Sequence, residues 1–302
     1  MSISQLSSLI DAQGHSFLWL LIISTTMFVS MNFVGGLIAK VPMSAKAEPA
    51  RLTDMFYWLL APAWRMVCRA VVAIVMVVVA TALGREVSPE LFQGWGPVAR
   101  QPDWLLAIEL LLLMDLSSYW VHRLFHRVPL LWRFHAIHHS ARKIRWSTTA
   151  RVHPVNEIFN YSVAVLPVFL FGFPIGMVLA MIPVLAWYAV AAHTEWNPSF
   201  GPLNKLFASP RFHRWHHTMS HEGGNMNFSN VFSLWDYLFG TYYLPEGRMP
   251  EVFGLDDEVM PENYWQHLMS PFRRRKPQPA AATPADPAAR DSSRPAALHG
   301  AS

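Results

Sequence analysis

The chain has 302 residues, 52% of them hydrophobic and only 15% charged, where an ordinary soluble domain carries roughly 25% charged residues. A single cysteine, Cys68, excludes an intramolecular disulfide and any paired-thiolate metal site. The formal net charge of +4 does not imply nucleic acid, because Lys and Arg gather between apolar blocks, where membrane topology accounts for them.

Those blocks fall at about 16 to 38, 55 to 83, 104 to 121, 157 to 172 and 174 to 193. About 20 residues of helix cross the hydrocarbon core, so the predicted fold is all-α: a polytopic membrane protein with four or five transmembrane helices. The first block has no positive n-region and no cleavage site, which reads as a retained helix. Pro62, Arg65 and Arg69 interrupt the second, predicting an interfacial piece followed by a spanning helix near 66 to 83. Gly172-Phe173-Pro174 predicts a tight turn between two helices.

Residues 1 to 15 hold no Lys or Arg, whereas 40 to 69 hold Lys40, Lys46, Arg51, Arg65 and Arg69. Residues 84 to 103 hold Arg85 and Arg100, and 122 to 151 hold Arg123, Arg127, Arg133, Arg142, Lys143, Arg145 and Arg151. Positive residues stay on the cytoplasmic side, so the N-terminus is expected outside and the loops after the first and third blocks inside. Tryptophans such as Trp132, Trp146, Trp187, Trp196 and Trp215 are expected mainly as interface anchors or packing. In VFSLWDYLFG, residues 231 to 240, apolar side chains recur at helical spacing, which predicts a helix lying in the membrane surface. After about residue 272 the chain turns Pro- and Ala-rich and loses its aromatics, as a disordered cytoplasmic tail does.

The fourteen histidines are not scattered. HRLFH occupies 122 to 126, HAIHH 135 to 139 and HRWHH 213 to 217. Two HxxHH triples are far more than random placement gives. Positions i, i+3 and i+4 of a helix are neighbours, so each box is expected to present its imidazoles to one point. Local signals agree: Ser209-Pro210 is an N-cap followed by proline at the first helical position, Pro129 sets the second box on its own short helix, and Pro154 opens the next span with His153 at its mouth. Eight imidazoles from three boxes exceed one metal's needs, so two sites of four or five are expected. His193, in AAHTEW at the end of the fifth block, would be a ninth ligand. By ligand softness iron, copper and zinc all fit.

Three further residues draw attention. Asp115 lies on the face of His122 and His126, and an acid inside a span needs a partner. It is expected either to fix an imidazole N–H, as metal-binding histidines require, or to bond a neighbouring helix. Glu195, beside His193, is a second candidate for fixing an imidazole, and Asn227 is a candidate for holding a water near the metals. His221 is expected to face solvent or a lid. His15, His267 and His299 have no partners nearby and are taken as structural or incidental.

HRLFH, HAIHH, RVHP, AAHTEW, SPRFHRWHH and NFSNVFSLWDYLFGTYY, in this order, resemble the fatty acid hydroxylase/sterol desaturase superfamily, in particular its alkylglycerol monooxygenase and sterol C5-desaturase-like branch. The resemblance runs from about 104 to 245. It implies a membrane-embedded non-haem di-iron enzyme that uses O2 and external electrons to hydroxylate or desaturate a membrane lipid of sterol-like, ether-lipid or fatty acyl type. It further implies metal ligation by His122, His126, His135, His138, His139, His193, His213, His216 and His217, with His153 a possible additional ligand. Some members place a His-x-x-x-His pair where only His193 stands here, flanked at four residues by Ala189 and Asn197.

The expected organisation is membrane helices over 1–103, a catalytic unit over 104–245 with a cytosolic helical cap, an extension over 246–272 and the tail over 273–302. The chain has no HPGG haem signature and no GxGxxG nucleotide fingerprint. Electrons are therefore expected from a ferredoxin or cytochrome b5-type donor with its reductase, in a bacterial inner membrane or the endoplasmic reticulum. The rival reading is a histidine-rich metal transporter, which would place its ligands near the middle of the spans.

Overall fold

The computed structural model describes residues 49–84, 93–195, 198–256 and 260–273. The predicted span at 16 to 38, the tail beyond 273, His15, His299 and Trp196 lie outside them. The described residues form helices and connecting turns, with a single isolated antiparallel bridge between Thr218 and Phe253 and no strand. The helices are α1 (Pro49–Ala82), α2 (Asp103–Arg127), α3 (Pro129–His139), α4 (Pro154–Phe171), α5 (Ile175–Ala192), α6 (Pro210–His216), α7 (Leu234–Leu238) and α8 (Tyr264–Met269).

Three of them, α1, α2 and α5, are long and apolar enough to cross a membrane. Their outward side chains suit lipid: Ile74, Val78, Ile108, Val184 and Trp187 are all exposed. Inside the bundle, Leu106, Leu110 and Met114 of α2 pack on Phe173 and on Val178 of α5, with Met76 of α1 alongside. The segment expected to span at 157 to 172 is a helix, α4, lying against α1 and α2; it is not among those three, and its first turn carries Asn156 and Glu157. The Gly172 turn forms as expected, with Gly172 at φ +87° and its carbonyl accepting from Trp95 N at 3.0 Å.

The expected break in the second apolar block does not occur. α1 runs unbroken through Pro62 for 34 residues, about 51 Å at 1.5 Å per residue, against a hydrocarbon core of about 30 Å. The excess is held by the cap. Trp58 Nε1 donates to the Ser147 carbonyl at 3.0 Å, Ser147 Oγ donates to Asp54 Oδ2 at 2.6 Å, and Asp54 also pairs with buried Arg151. Arg65, read from sequence as an interruption, faces Glu157 of α4 at 3.5 Å.

In the cap, Tyr57 of α1 packs with Ala136 and Ile137 of α3, Leu255, Met260 and Tyr264 of α8. Trp146 and Trp215 are buried, Trp146 against Trp58 and Trp215 against Tyr243, so they are cap core and not interface anchors. α7 is one short turn, shorter than the periodicity of 231 to 239 suggested. Tyr237 and Leu238 remain 55% and 60% exposed beside Phe239, an apolar edge suited to a membrane surface.

Candidate metal centre

Four short pieces of backbone bring nine imidazoles together. The last two turns of α2 carry His122 and His126, α3 ends in HAIHH, His193 follows α5, and α6 carries the third box. Pro129 and Pro210 stand at the first positions of α3 and α6, and the Ser209 side chain accepts from Phe212 N at 3.3 Å, so both box helices start where sequence placed them.

The imidazoles form two groups: His122, His126, His135, His139 and His216, and His138, His193, His213 and His217. The nine are those named from sequence, in the expected split of five and four. Their division by box differs. Only HRLFH serves one group; HAIHH gives His135 and His139 to the first and His138 to the second, and HRWHH gives His216 to the first and His213 and His217 to the second. Adjacent residues on a helix point about 100° apart, so an HH pair straddles two sites while i and i+4 share one.

Hydrogen bonds on the outer nitrogens fix the tautomers. His122 Nδ1 donates to the Phe228 carbonyl at 2.7 Å, His135 Nδ1 to Asn156 Oδ1 at 2.9 Å and His216 Nδ1 to the Met226 carbonyl at 2.8 Å. His126 Nδ1 faces Asn225 Oδ1 at 3.4 Å. Each Nε2 is then a bare lone pair turned inward. His122 Nε2 and His135 Nε2 lie 3.0 Å apart, two acceptors in contact, and the Nε2 atoms of His126, His139 and His216 are buried without partners.

In the second group His193 Nδ1 donates to the Ala189 carbonyl at 2.7 Å, and its Nε2 lies 3.3, 3.2 and 3.1 Å from those of His138, His213 and His217. Lone pairs this close repel unless a cation sits among them. With metal–nitrogen bonds of about 2.0–2.1 Å, cis ligands of an octahedron lie about 2.9 Å apart and those of a tetrahedron about 3.4 Å, which brackets the observed spacings. Both groups therefore fit a metal ion.

Burial, seconded by neighbouring imidazoles, pushes His135, His138, His139, His213 and His217 well below the usual histidine range; burial does the same to His216. His193 falls to about 4, burial outweighing the bond to Ala189. Neutral imidazole is the form that ligates metal.

Other sequence candidates sit elsewhere. His153 joins neither group: its Nδ1 accepts from Val155 N at 3.0 Å, capping α4, and its Nε2 donates to the Leu268 carbonyl at 3.2 Å. Asp115 touches no imidazole. Its carboxylate accepts from Val231 N, Phe232 N and Trp235 Nε1 at 2.9, 2.8 and 3.1 Å, pinning to α2 the loop whose Phe228 carbonyl orients His122. Glu195 faces Arg145 Nε at 3.3 Å. Asn227 has φ +62° and exchanges bonds with Tyr243 while donating to the Phe212 carbonyl, so its amide ties backbone together. His221 is exposed and lies 3.6 Å from Asp256. His267 is fully buried beside Tyr57.

Sequence reading missed Asn156 and Asn225, the side chains that orient His135 and His126. Trp132 was expected as an interface anchor or packing, and its ring lies 4.9 Å from His126 and 5.3 Å from His139.

Residues 107–241 match the family model described as fatty acid hydroxylase. The chain is 32% identical over 178 residues to ornithine lipid hydroxylase OlsE of Rhizobium tropici, covering 58% of this chain and 54% of that protein. It is 30% identical over 146 residues to alkylglycerol monooxygenase of Homo sapiens, covering 48% and 32%, and 30% identical over 142 residues to very-long-chain aldehyde decarbonylase GL1-7 of Oryza sativa subsp. japonica, covering 42% and 21%. The chain thus spans about half or less of the curated relatives it matches. No solved structure matches. All nine imidazoles lie within the residues that match the fatty acid hydroxylase model, and the similar proteins include an ornithine lipid hydroxylase and alkylglycerol monooxygenases.

Proposed function

We propose that this chain is an O2-dependent di-iron oxidoreductase that hydroxylates a membrane lipid, drawing electrons from an external donor of ferredoxin or cytochrome b5 type. The observation that carries the reading is the pair of buried, all-imidazole groups at the ends of membrane helices. His122, His126, His135, His139 and His216 would hold one iron and His138, His193, His213 and His217 the other. Bound iron would supply the redox chemistry that activates O2 against an unactivated C–H bond.

The protein's own contribution is orientation and exclusion of water. The Phe228 and Met226 carbonyls and the Asn156 amide hold three rings of the first group with Nε2 inward, as partners of ligating histidines do. Phe228 is fully buried and packs on His122, His126 and His216, keeping that side of the group dry. Tyr119 and Phe239 continue this aromatic wall toward the exposed face of α7, the side from which an apolar substrate would enter. By the distribution of Lys and Arg the groups face the cytoplasm, within reach of a soluble donor.

The relatives named for ornithine lipid and alkylglycerol favour a substrate with a polar headgroup and long alkyl chains. The test is metal analysis of the purified chain together with lipid extracts from a host grown under labelled oxygen, for wild type, His138→Ala and His217→Ala. Two irons per chain and a labelled lipid alcohol absent from both variants are expected. Zinc alone, or an unchanged product in the variants, would sink the reading.

A further inference from the structure

Near the end of α2, the residue after His122 is a half-buried arginine, Arg123. Its guanidinium carbon lies 5.4 Å from the centre of the Trp120 ring and 6.0 Å from that of Tyr119. Trp120 packs on Phe239 at 4.9 Å, and both are exposed, as are Tyr237 and Leu238 of the α7 edge. Lys205 adds a second cation there, its ammonium 5.7 Å from the Tyr237 ring.

A guanidinium carries five N–H donors. Arg123 spends one of them, from Nη1, on the Tyr119 hydroxyl at 2.9 Å. The others meet no acceptor among the described residues and are not enclosed by them, and no carboxylate among those residues pairs with Arg123. The Tyr119 hydroxyl passes its own proton to Thr241 Oγ1 at 2.9 Å, because Thr241 Oγ1 donates to Asp236 Oδ1 at 2.6 Å. Asp236 also accepts from Phe228 N and Ser229 N, each at 2.8 Å. Two hydroxyls thus tie the guanidinium to the turn that carries Phe228, the ring packed on His122, His126 and His216. A cation anchored on one side loses little freedom when an anion binds the other. The two carboxylates bonded into this part of the fold, Asp115 and Asp236, are buried and occupied at both oxygens.

We propose that Arg123 recognises the headgroup of the lipid substrate, taking a carboxylate or phosphate on its remaining N–H groups. The alkyl chains then follow Trp120, Phe239, Tyr119 and Phe228 toward the first imidazole group. This assignment rests on the lipid-hydroxylase reading and narrows its substrate to lipids with an oxyanion in the headgroup. Arg123 stands one turn before the end of a candidate span, the depth at which charged side-chain ends meet lipid headgroups. The planar fork of arginine matches either oxyanion.

The experiment is native mass spectrometry of the full chain, as purified in neutral detergent, with phosphatidic acid or with diacylglycerol of the same acyl chains. Wild type should prefer phosphatidic acid by about tenfold or more, as a charge-assisted hydrogen bond gives. Arg123→Gln should reduce the preference to about twofold or less. Tyr119→Phe keeps the charge and releases the guanidinium, so it should lower the preference about threefold, and it serves as the test should Arg123→Gln not fold. Arg127→Gln, at an exposed arginine one turn further along α2, should leave it unchanged. No preference in wild type, a wild-type preference in Arg123→Gln and Tyr119→Phe, or an equal loss in Arg127→Gln overturns the proposal. Binding is read with or without metal on the chain, so absence of iron would sink the hydroxylase reading without deciding this one. In the labelled-oxygen extracts, label should fall in lipids that carry a carboxylate or phosphate, and label confined to lipids with neither also overturns it.

Discussion

His153 is the residue at which capping and metal ligation lead to opposite outcomes. It is 4% exposed, and both ring nitrogens are committed, Nδ1 to the first free N–H of α4 and Nε2 to the Leu268 carbonyl. Replacing it with alanine removes an N-cap, worth about 1 kcal/mol. It also removes a hydrogen bond worth about 1 kcal/mol and ring contacts with Phe134 and Phe272 at 5.0 and 6.0 Å. The sum is about 2–3 kcal/mol, which lowers the unfolding midpoint by about 3–5 °C in a chain of this size. Asparagine, a strong N-cap, recovers about 1 kcal/mol of that. Neither variant alters the nine imidazoles, so metal per chain should stay at the wild-type value while His138→Ala loses it. The assay is tryptophan-fluorescence melting in detergent beside elemental analysis of the same samples. A His153→Asn protein that melts like wild type yet carries about one metal fewer per chain refutes the capping assignment.

Asp115→Asn replaces a carboxylate that accepts three N–H groups with an amide that turns an NH2 toward them. At about 1.5–3 kcal/mol for each hydrogen bond to a charged group, a loss of about 3 kcal/mol is expected, seen as a lower melting midpoint with metal content retained; depleted metal at an unchanged midpoint would mean that Asp115 acts on an imidazole after all. Gly172→Ala places a methyl on a residue at φ +87° and against the Trp95 carbonyl oxygen, so limited proteolysis should open the α4–α5 turn, and a variant as resistant as wild type contradicts this. His267, fully buried, is held neutral with its pKa lowered to about 4 by burial. Because the unfolded chain takes up this proton near pH 6.5 and the folded chain only near 4, stability falls as pH drops through that window, by about 3 kcal/mol for the group. His267→Phe should be less acid-sensitive by about that amount between pH 6.5 and 4, and equal acid sensitivity in both proteins would count against it.

The histidine spacing made the centre legible because helix periodicity is a local property: Pro129, Ser209 and Pro210 set where the box helices begin, and the rest is rotation per residue. The allocation of each box between the two groups depended on how α3 and α6 are packed, which no local pattern encodes. Asp115 illustrates the same limit, since sequence identified an acid that needs a partner and left open whether that partner was a ring or a backbone. α1 was misread for a related reason. Arg65 and Pro62 look disruptive in a span, and they are tolerated because the helix is long enough to leave the membrane and Glu157 stands opposite Arg65. Asn156 and Asn225 were invisible because a residue that orients a ligand carries no spacing rule of its own.

The straddling HH pairs have a mechanical consequence. His138 and His139 share one turn of α3, and His216 and His217 one end of α6, with each member of a pair serving a different group. A cation captured by one group clamps both turns and so prepays the ordering of two or three ligands in the other, which makes loading cooperative: chains with both sites filled or both empty should outnumber those holding a single ion.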